Sequence, residues 1–238
     1  MRWDVVIAVL AAFGCLAWLY RRDRRRHGQQ RAAFFADCLG LFERYRVTQD
    51  DIYFPILEGS YRGYSFRLEP IVDHVVFRKI PSLWLKVTLV APTRFSGVFD
   101  LLMRLQGSEF YSPFGDLPHR LRPPPGWPAD CAIASDDPQN MPPLDVLAPH
   151  MRLFGDPRMK EMLVTPRGVR LVYQAQQAER VHYMVLRQIE FAQARLPASL
   201  ASALLNAAID LYGAVAAPAG RLANDQAVPP AAAGQLEN

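Results

Sequence analysis

From Val5 to Tyr20 the chain reads VVIAVLAAFGCLAWLY, sixteen residues without a charge, and then turns directly into RRDRRR. About 17 to 25 apolar residues cross a hydrocarbon layer as a helix, so this is a short span. Aromatic rings seat such a span at its two interfaces, and Trp3 precedes it while Trp18 and Tyr20 close it. The pattern predicts a transmembrane anchor over residues 1–20 and a basic juxtamembrane segment over 21–31. One arginine lies before the span, and Arg21, Arg22, Arg24, Arg25 and Arg26 follow it at once. The excess of basic residues on the cytoplasmic side orients a membrane helix. The N-terminus is therefore expected outside and the rest of the chain in the cytoplasm. Three other readings fit less well. A buried core helix does not end in a run of arginines. A cleaved signal peptide needs a basic start and small residues at the cut, and here the start is MRWD. Lipidation at Cys15 has the preceding Gly14, but Phe13 is bulky and the apolar run continues past the cysteine.

Beyond a polar HGQQ joint the spacing changes to three and four. Phe34, Phe35, Cys38, Leu39 and Phe42 then form one apolar face, which predicts an amphipathic helix over 28–45. That face packs either on the domain's own sheet, the commoner outcome, or on the bilayer. The period then falls to two. IYFPILEGS, YSFRLE, IVDHVVFRK and LWLKVTLV read as antiparallel strands; Tyr64, Phe66 and Leu68 alternate with Ser65, Arg67 and Glu69, and Leu83, Leu85, Val87 and Leu89 with Trp84, Lys86 and Thr88. Pro55 marks a strand start or an edge. GSYRGY, residues 59–64, is expected to be a hairpin turn with an exposed Arg62 rather than a ligand loop.

SGVFDLLMRL, residues 96–105, places Val98, Leu101, Leu102 and Leu105 on one side and predicts a short helix. The connection from Gly107 to Asp130 is rich in turn formers, with three consecutive prolines, and is expected to be a surface loop. CAIAS is a brief strand, LDVLAPHMRLF a helix disturbed by Pro149, and EMLVTPRGVRLVYQ a hairpin. Val181, Met184, Val185, Gln188, Phe191 and Ala192 predict a helix ending before Pro197, and Leu200, Leu204, Ala207 and Leu211 a second one. Asn206 and Asp210 inside the second argue against a further membrane span. The Ala/Pro-rich residues 216–238 lack periodicity and are expected to be disordered. The fold class is thus α+β: an anchor helix, then a domain over 32–215 with a largely antiparallel sheet packed by helices, two of them C-terminal.

Charge narrows the partners. The whole chain carries a net +4. Residues 1–31 hold seven arginines and two aspartates, a local +5, so the body is left at −1. A nucleic-acid surface needs a basic surplus on the folded part, and none is found, so nucleic acid is excluded as a partner. Cys15, Cys38 and Cys131 show no CxxC spacing and fit a reduced protein.

No phosphate-cradling, zinc-protease, hydrolase or EF-hand motif is present in the sequence. His27, His74, His119, His150 and His182 lack metal-ligand spacing. Asp73 and His74 are neighbours on a presumed strand and point to opposite faces. His119 with Arg120, and Asp136 with Asp137, fit a solvated loop and a turn. No catalytic, cofactor-binding or metal-binding residue is assigned, and no cofactor is expected. The resulting expectation is a non-enzymatic domain at the bacterial inner membrane, in contact with the lipid bilayer through its N-terminal helix and with a membrane or membrane-associated protein. It would serve as an assembly factor, scaffold or accessory subunit. The alternative is a membrane-surface enzyme or lipid-handling domain whose pocket gathers several of Asp73, His74, His119, Asp136 and His150.

Overall fold

The computed structural model describes residues 3–73, 80–107, 109–178, 191 and 195–216. Helix α1 runs unbroken over Trp3–Ala32, so the HGQQ segment is helix and not a joint. Gly28 is the one weak helix former there, and a single glycine costs only about 1 kcal/mol. The amphipathic helix expected over 28–45 is not formed. After Ala32 come two short 3-10 turns, Ala33–Phe35 and Leu39–Leu41, and a strand already begins at Arg44. The apolar residues of that stretch are nevertheless core: Phe34, Phe35 and Cys38 are fully buried, with the two rings edge to face at 5.0 Å. The face settles on the domain.

Among the described residues nine strands form one sheet: β1 (Arg44–Thr48), β2 (Ile56–Tyr61), β3 (Tyr64–Val72), β4 (Ser82–Val90), β5 (Phe99–Met103), β6 (His119–Leu121), β7 (Cys131–Ser135), β8 (Met159–Thr165) and β9 (Gly168–Gln177). The order is β1-β2-β3-β4-β9-β8-β5-β7-β6, and each neighbouring pair is antiparallel. The α+β class holds. The turn reading of GSYRGY also holds: Tyr61 pairs with Tyr64 across Arg62 and Gly63, both at positive φ (50° and 78°), the conformation a two-residue hairpin requires. The hairpin of β8 and β9 is likewise present. At its turn a Cβ on Gly168 would lie 2.0 Å from the Leu89 carbonyl oxygen, so only glycine lets β9 close on the end of β4.

Two sequence expectations are corrected in the strands. The run IVDHVVFRK is no separate strand at its start, because β3 continues through Pro70 to Val72; residues 74–79, with His74, lie outside the described residues. Pro70 is tolerated because β2 pairs only as far as Leu68, so the missing N–H faces an open edge. Residues 99–103 form β5 and not a helix. Every residue of β5 is buried, with Phe99, Leu101 and Met103 in the main core and Leu102 in a second cluster on the other face. A strand covered on both faces reads as a continuous apolar run, and helical spacing arises there by chance.

One face of the sheet is covered by α3 (Ala198–Val215), which packs on β4 and β9 through Ala201, Leu204, Leu205, Ala208, Leu211, Tyr212 and Val215. Leu200 and Ala207 of the expected stripe lie at its margin, half-buried. Helix α2 (Leu144–Leu147) and a 3-10 stretch, Ala148–Gly155, occupy LDVLAPHMRLF, with Pro149 opening the tighter helix. The helix expected around Val181–Ala192 falls almost wholly outside the described residues, as do residues 217–238. Among the described residues α3 is the helix long and apolar enough to cross a membrane, yet its apolar stripe is spent on the sheet. The side chains at the start of α1, Trp3 included, are outside the described ones.

Candidate functional site

The basic half of α1 meets the domain at the loop between β1 and β2. Arg24 forms an ion pair with Asp51, its Nε donating to Oδ1 at 3.2 Å. One turn further on, Gln49 donates through Nε2 to the carbonyls of Gly28 (3.0 Å) and Tyr53 (2.8 Å). A further turn on, Arg31 donates to the carbonyl of Ile52 at 2.8 Å and stacks over Phe54 at 5.2 Å. Half-burial pulls the Arg31 pKa down from its ordinary value. The other arginines predicted to orient the anchor behave differently. Arg21, Arg22, Arg25 and Arg26 are exposed, and Arg22 stacks on Trp18 at 5.2 Å. Trp18 and Tyr20 are exposed as well. The cluster that reads as one basic block is therefore divided by helix geometry: Arg24 and Arg31 hold the domain, and the others are exposed.

A cleft of about 720 Å³ adjoins this contact. Its walls are the loop that holds α1, with Ile52, Tyr53 and Phe54, and the unpaired edge of β3, with Pro70, Ile71 and Val72. Sequence reading missed the loop. Gln49 and Asp51 carry no motif, and their role depends on a helix passing beside them.

The second face of the sheet carries a buried ionic network under the segment after β5. Arg170 donates to both oxygens of Glu161, at 3.0 and 3.1 Å. Asp100 accepts from the Ser112 hydroxyl at 2.9 Å. Lys160 donates to Glu109 at 2.9 Å and to the carbonyls of Met103 and Arg104. Burial, then the neighbouring Glu161 charge, push the Asp100 carboxyl well above the ordinary carboxylate range. The same burial raises Tyr111. The Trp84 Nε1, Tyr111 hydroxyl and Asp100 Oδ1 atoms are buried without a hydrogen-bond partner among the described residues. Perturbed carboxylates often mark catalysis. Here the perturbed carboxyl is that of Asp100, which like its neighbour Glu161 has no exposed surface, and the network locks β5, β8 and β9 together.

The residues offered for a hidden enzyme site are mostly apart. His119 on β6 pairs with Ser135, which brings it beside Asp136 and Asp137 at one end of the sheet. Asp136 accepts from the backbone of Val98 at 2.6 Å, and Asp137 caps a turn through Gln139 and Asn140, as expected of a turn cluster. Asp73 sits at the end of β3, bonded by its backbone to Ser82. His150 is buried on the helical side, where burial and Arg152 lower its pKa. Cys38 is buried with its thiol raised to about 11, and Cys131 is buried and raised too. Among the described residues no three His, Cys, Asp or Glu side chains gather as a metal site.

Among the described residues fold and site together define a class: a nine-stranded antiparallel sheet, helix-covered on one face, joined to a long helix whose second half is basic. No protein-family model and no curated protein sequence matches the chain. A solved structure, the crystal structure of the mycobacterial trehalose monomycolate transport factor A, TtfA, is similar with a TM-score of 0.40 and 13% identity, over 82% of this chain and 99% of that one. A likeness of that degree transfers nothing about binding or activity.

Proposed function

We propose that the protein is a single-pass component of a bacterial inner membrane, N-terminus outside, whose cytoplasmic α+β domain binds another protein as an assembly, scaffold or accessory subunit. The supporting observation is the way α1 is held. The helix is unbroken over 30 residues, about 45 Å at 1.5 Å per residue, and its last two turns are fastened to the Gln49–Phe54 loop. Hydrocarbon accounts for about 30 Å of that length, which leaves the fastened end just below the headgroups. A domain that only had to stay near the membrane needs a flexible tether. A fastened helix fixes height and tilt, which matters when a second membrane-bound protein must be met in one orientation. Exposed arginines beside the apolar run add about 1 kcal/mol each on an anionic leaflet.

The test uses the full chain with a reporter active only in the cytoplasm fused at its C-terminus. The expected result is an active reporter, a chain retained in the membrane at alkaline pH and an intact N-terminus by mass spectrometry. Loss of residues 1–20 from the mature chain, or labelled fatty acid on the wild type but not on Cys15→Ser, overturns it.

A further inference from the structure

The two edges of the sheet are built differently. β6 has three residues and runs at once towards Pro123, Pro124 and Pro125, a short edge of the kind that discourages further pairing. β1 has five residues, none of them proline, and all five are exposed. The register decides which of its backbone groups are free. The Arg62-Gly63 turn makes Tyr61 and Tyr64 a bonded pair, and bonded pairs alternate along an antiparallel ladder. β2 therefore turns Leu57, Gly59 and Tyr61 to β3, and Ile56, Glu58 and Ser60 to β1. Their partners on β1 are Thr48, Arg46 and Arg44. The N–H and C=O groups of Tyr45 and Val47 point outward.

The side chains divide in the same way. Arg44 and Arg46 share one face and form no ion pair among the described residues, because Glu58, directly across from Arg46, gives its carboxylate to Arg67. Further along the same face the charges are matched, Lys86 with Glu69 at 2.9 Å and Arg170 with Glu161. Tyr45 and Val47 lie on the other face, 53% and 38% exposed.

We propose that β1 is a docking edge for an extended segment of a partner protein in which acidic and apolar residues alternate, added as a tenth strand. The proposal deepens the protein-binding reading above and rests on it. The free backbone ladder supplies affinity, the two unmatched arginines select acidic side chains, and Tyr45 with Val47 receive the apolar ones. A second copy fits worse. Two-fold pairing of one edge is antiparallel, and every register that bonds Tyr45 and Val47 sets arginines or Thr48 of one copy against arginines of the other. A lipid surface would meet the arginines but cannot complete a β ladder.

The probes are two labelled seven-residue peptides, one alternating Glu with Val and one alternating Lys with Val, titrated by fluorescence anisotropy against the full chain in lipid nanodiscs. The expected result is saturable binding of the Glu peptide, at least tenfold tighter than the Lys peptide. Val47→Pro removes an outward N–H and leaves the bonds to β2, so it should weaken binding at least tenfold with an unchanged melting temperature. Arg44→Glu with Arg46→Glu should reverse the preference. Equal binding of both peptides, or full binding by Val47→Pro, overturns the proposal. So does self-association that Val47→Pro abolishes in the absence of peptide binding, which would assign the edge to a second copy. A loss of contact with phosphatidylglycerol on arginine reversal, without peptide binding, would assign it to lipid and also overturn it. None of these outcomes touches the topology test, so a failed edge and a failed anchor are told apart.

Discussion

At the scale of single residues the sharpest energetic contrast lies under the second face of the sheet. Glu161 is fully buried and both its oxygens are held by Arg170. Removing one partner of a buried pair leaves an uncompensated charge and costs about 3 to 5 kcal/mol, whereas replacing both with apolar groups of similar size is often neutral. Arg170→Met is therefore expected to lower stability by that amount, and Arg170→Met with Glu161→Leu to recover most of it, in denaturant titrations of the full chain in detergent. Asp100 gives a pH signature from the same place. Its carboxyl titrates well above the ordinary value of 3.8, chiefly because it is buried and secondly because Glu161 is near. Between those two values the folded protein keeps a proton that the unfolded chain has released, so stability falls as pH rises through the window and stays lower above it. Asp100→Asn keeps an acceptor for Ser112 and does not titrate. Its melting temperature should exceed that of the wild type at about pH 8 and converge with it near about pH 4; parallel curves would refute the assignment.

At the scale of elements, legibility followed exposure. β3 and β4 were read from alternation because one face is core and the other carries Arg67, Glu69, Lys86 and Thr88, so their period is visible. β5 is not legible as a strand because both of its faces are covered and alternation vanishes. The spacing of Phe34, Phe35, Cys38 and Phe42 marks an apolar group but does not fix a helix, since 3-10 turns satisfy the same three-residue spacing. The group is continuous with the core: Phe34 packs on Phe54 at 5.3 Å, the Phe34 carbonyl accepts from Leu196 at 2.7 Å, and Asp37 pairs with Arg195. The segment after α1 thus joins the chain's beginning to the start of α3. Burying an aromatic ring of this kind is worth about 3 to 5 kcal/mol on truncation to alanine. A chain starting at Arg31 is expected to fold as a soluble domain, and one starting at Arg44 to lack cooperative unfolding, which circular dichroism melts will separate.

At the scale of the whole molecule, the charge block of α1 is legible in the sequence and the contact that holds α1 to the domain is not. Composition shows that the arginines carry the entire basic excess. It does not show that Arg24 and Arg31 share a helical face with Gly28, nor that a loop twenty residues later is shaped to receive that face. The exposed Arg24–Asp51 pair alone contributes little, about 0 to 1 kcal/mol, so rigidity must come from the sum of that pair, the two Gln49 bonds, Arg31 and an unbroken helix. The helix is the member that can be removed cleanly. Gly28→Pro deletes the N–H of residue 28 and clashes with the carbonyl of residue 24, which breaks a helix interior at a cost of about 3 kcal/mol. The core begins only at Phe34, so the domain should keep its melting temperature within a few degrees. Spin labels at Tyr20→Cys and Arg122→Cys, in a background with Cys15 replaced, then read the coupling in nanodiscs. The wild type should give one narrow distance distribution, and Gly28→Pro a broad one. A broad distribution in both proteins would mean that the contact at Gln49–Phe54 does not hold the helix, and the domain would then be tethered rather than set at a fixed height and tilt.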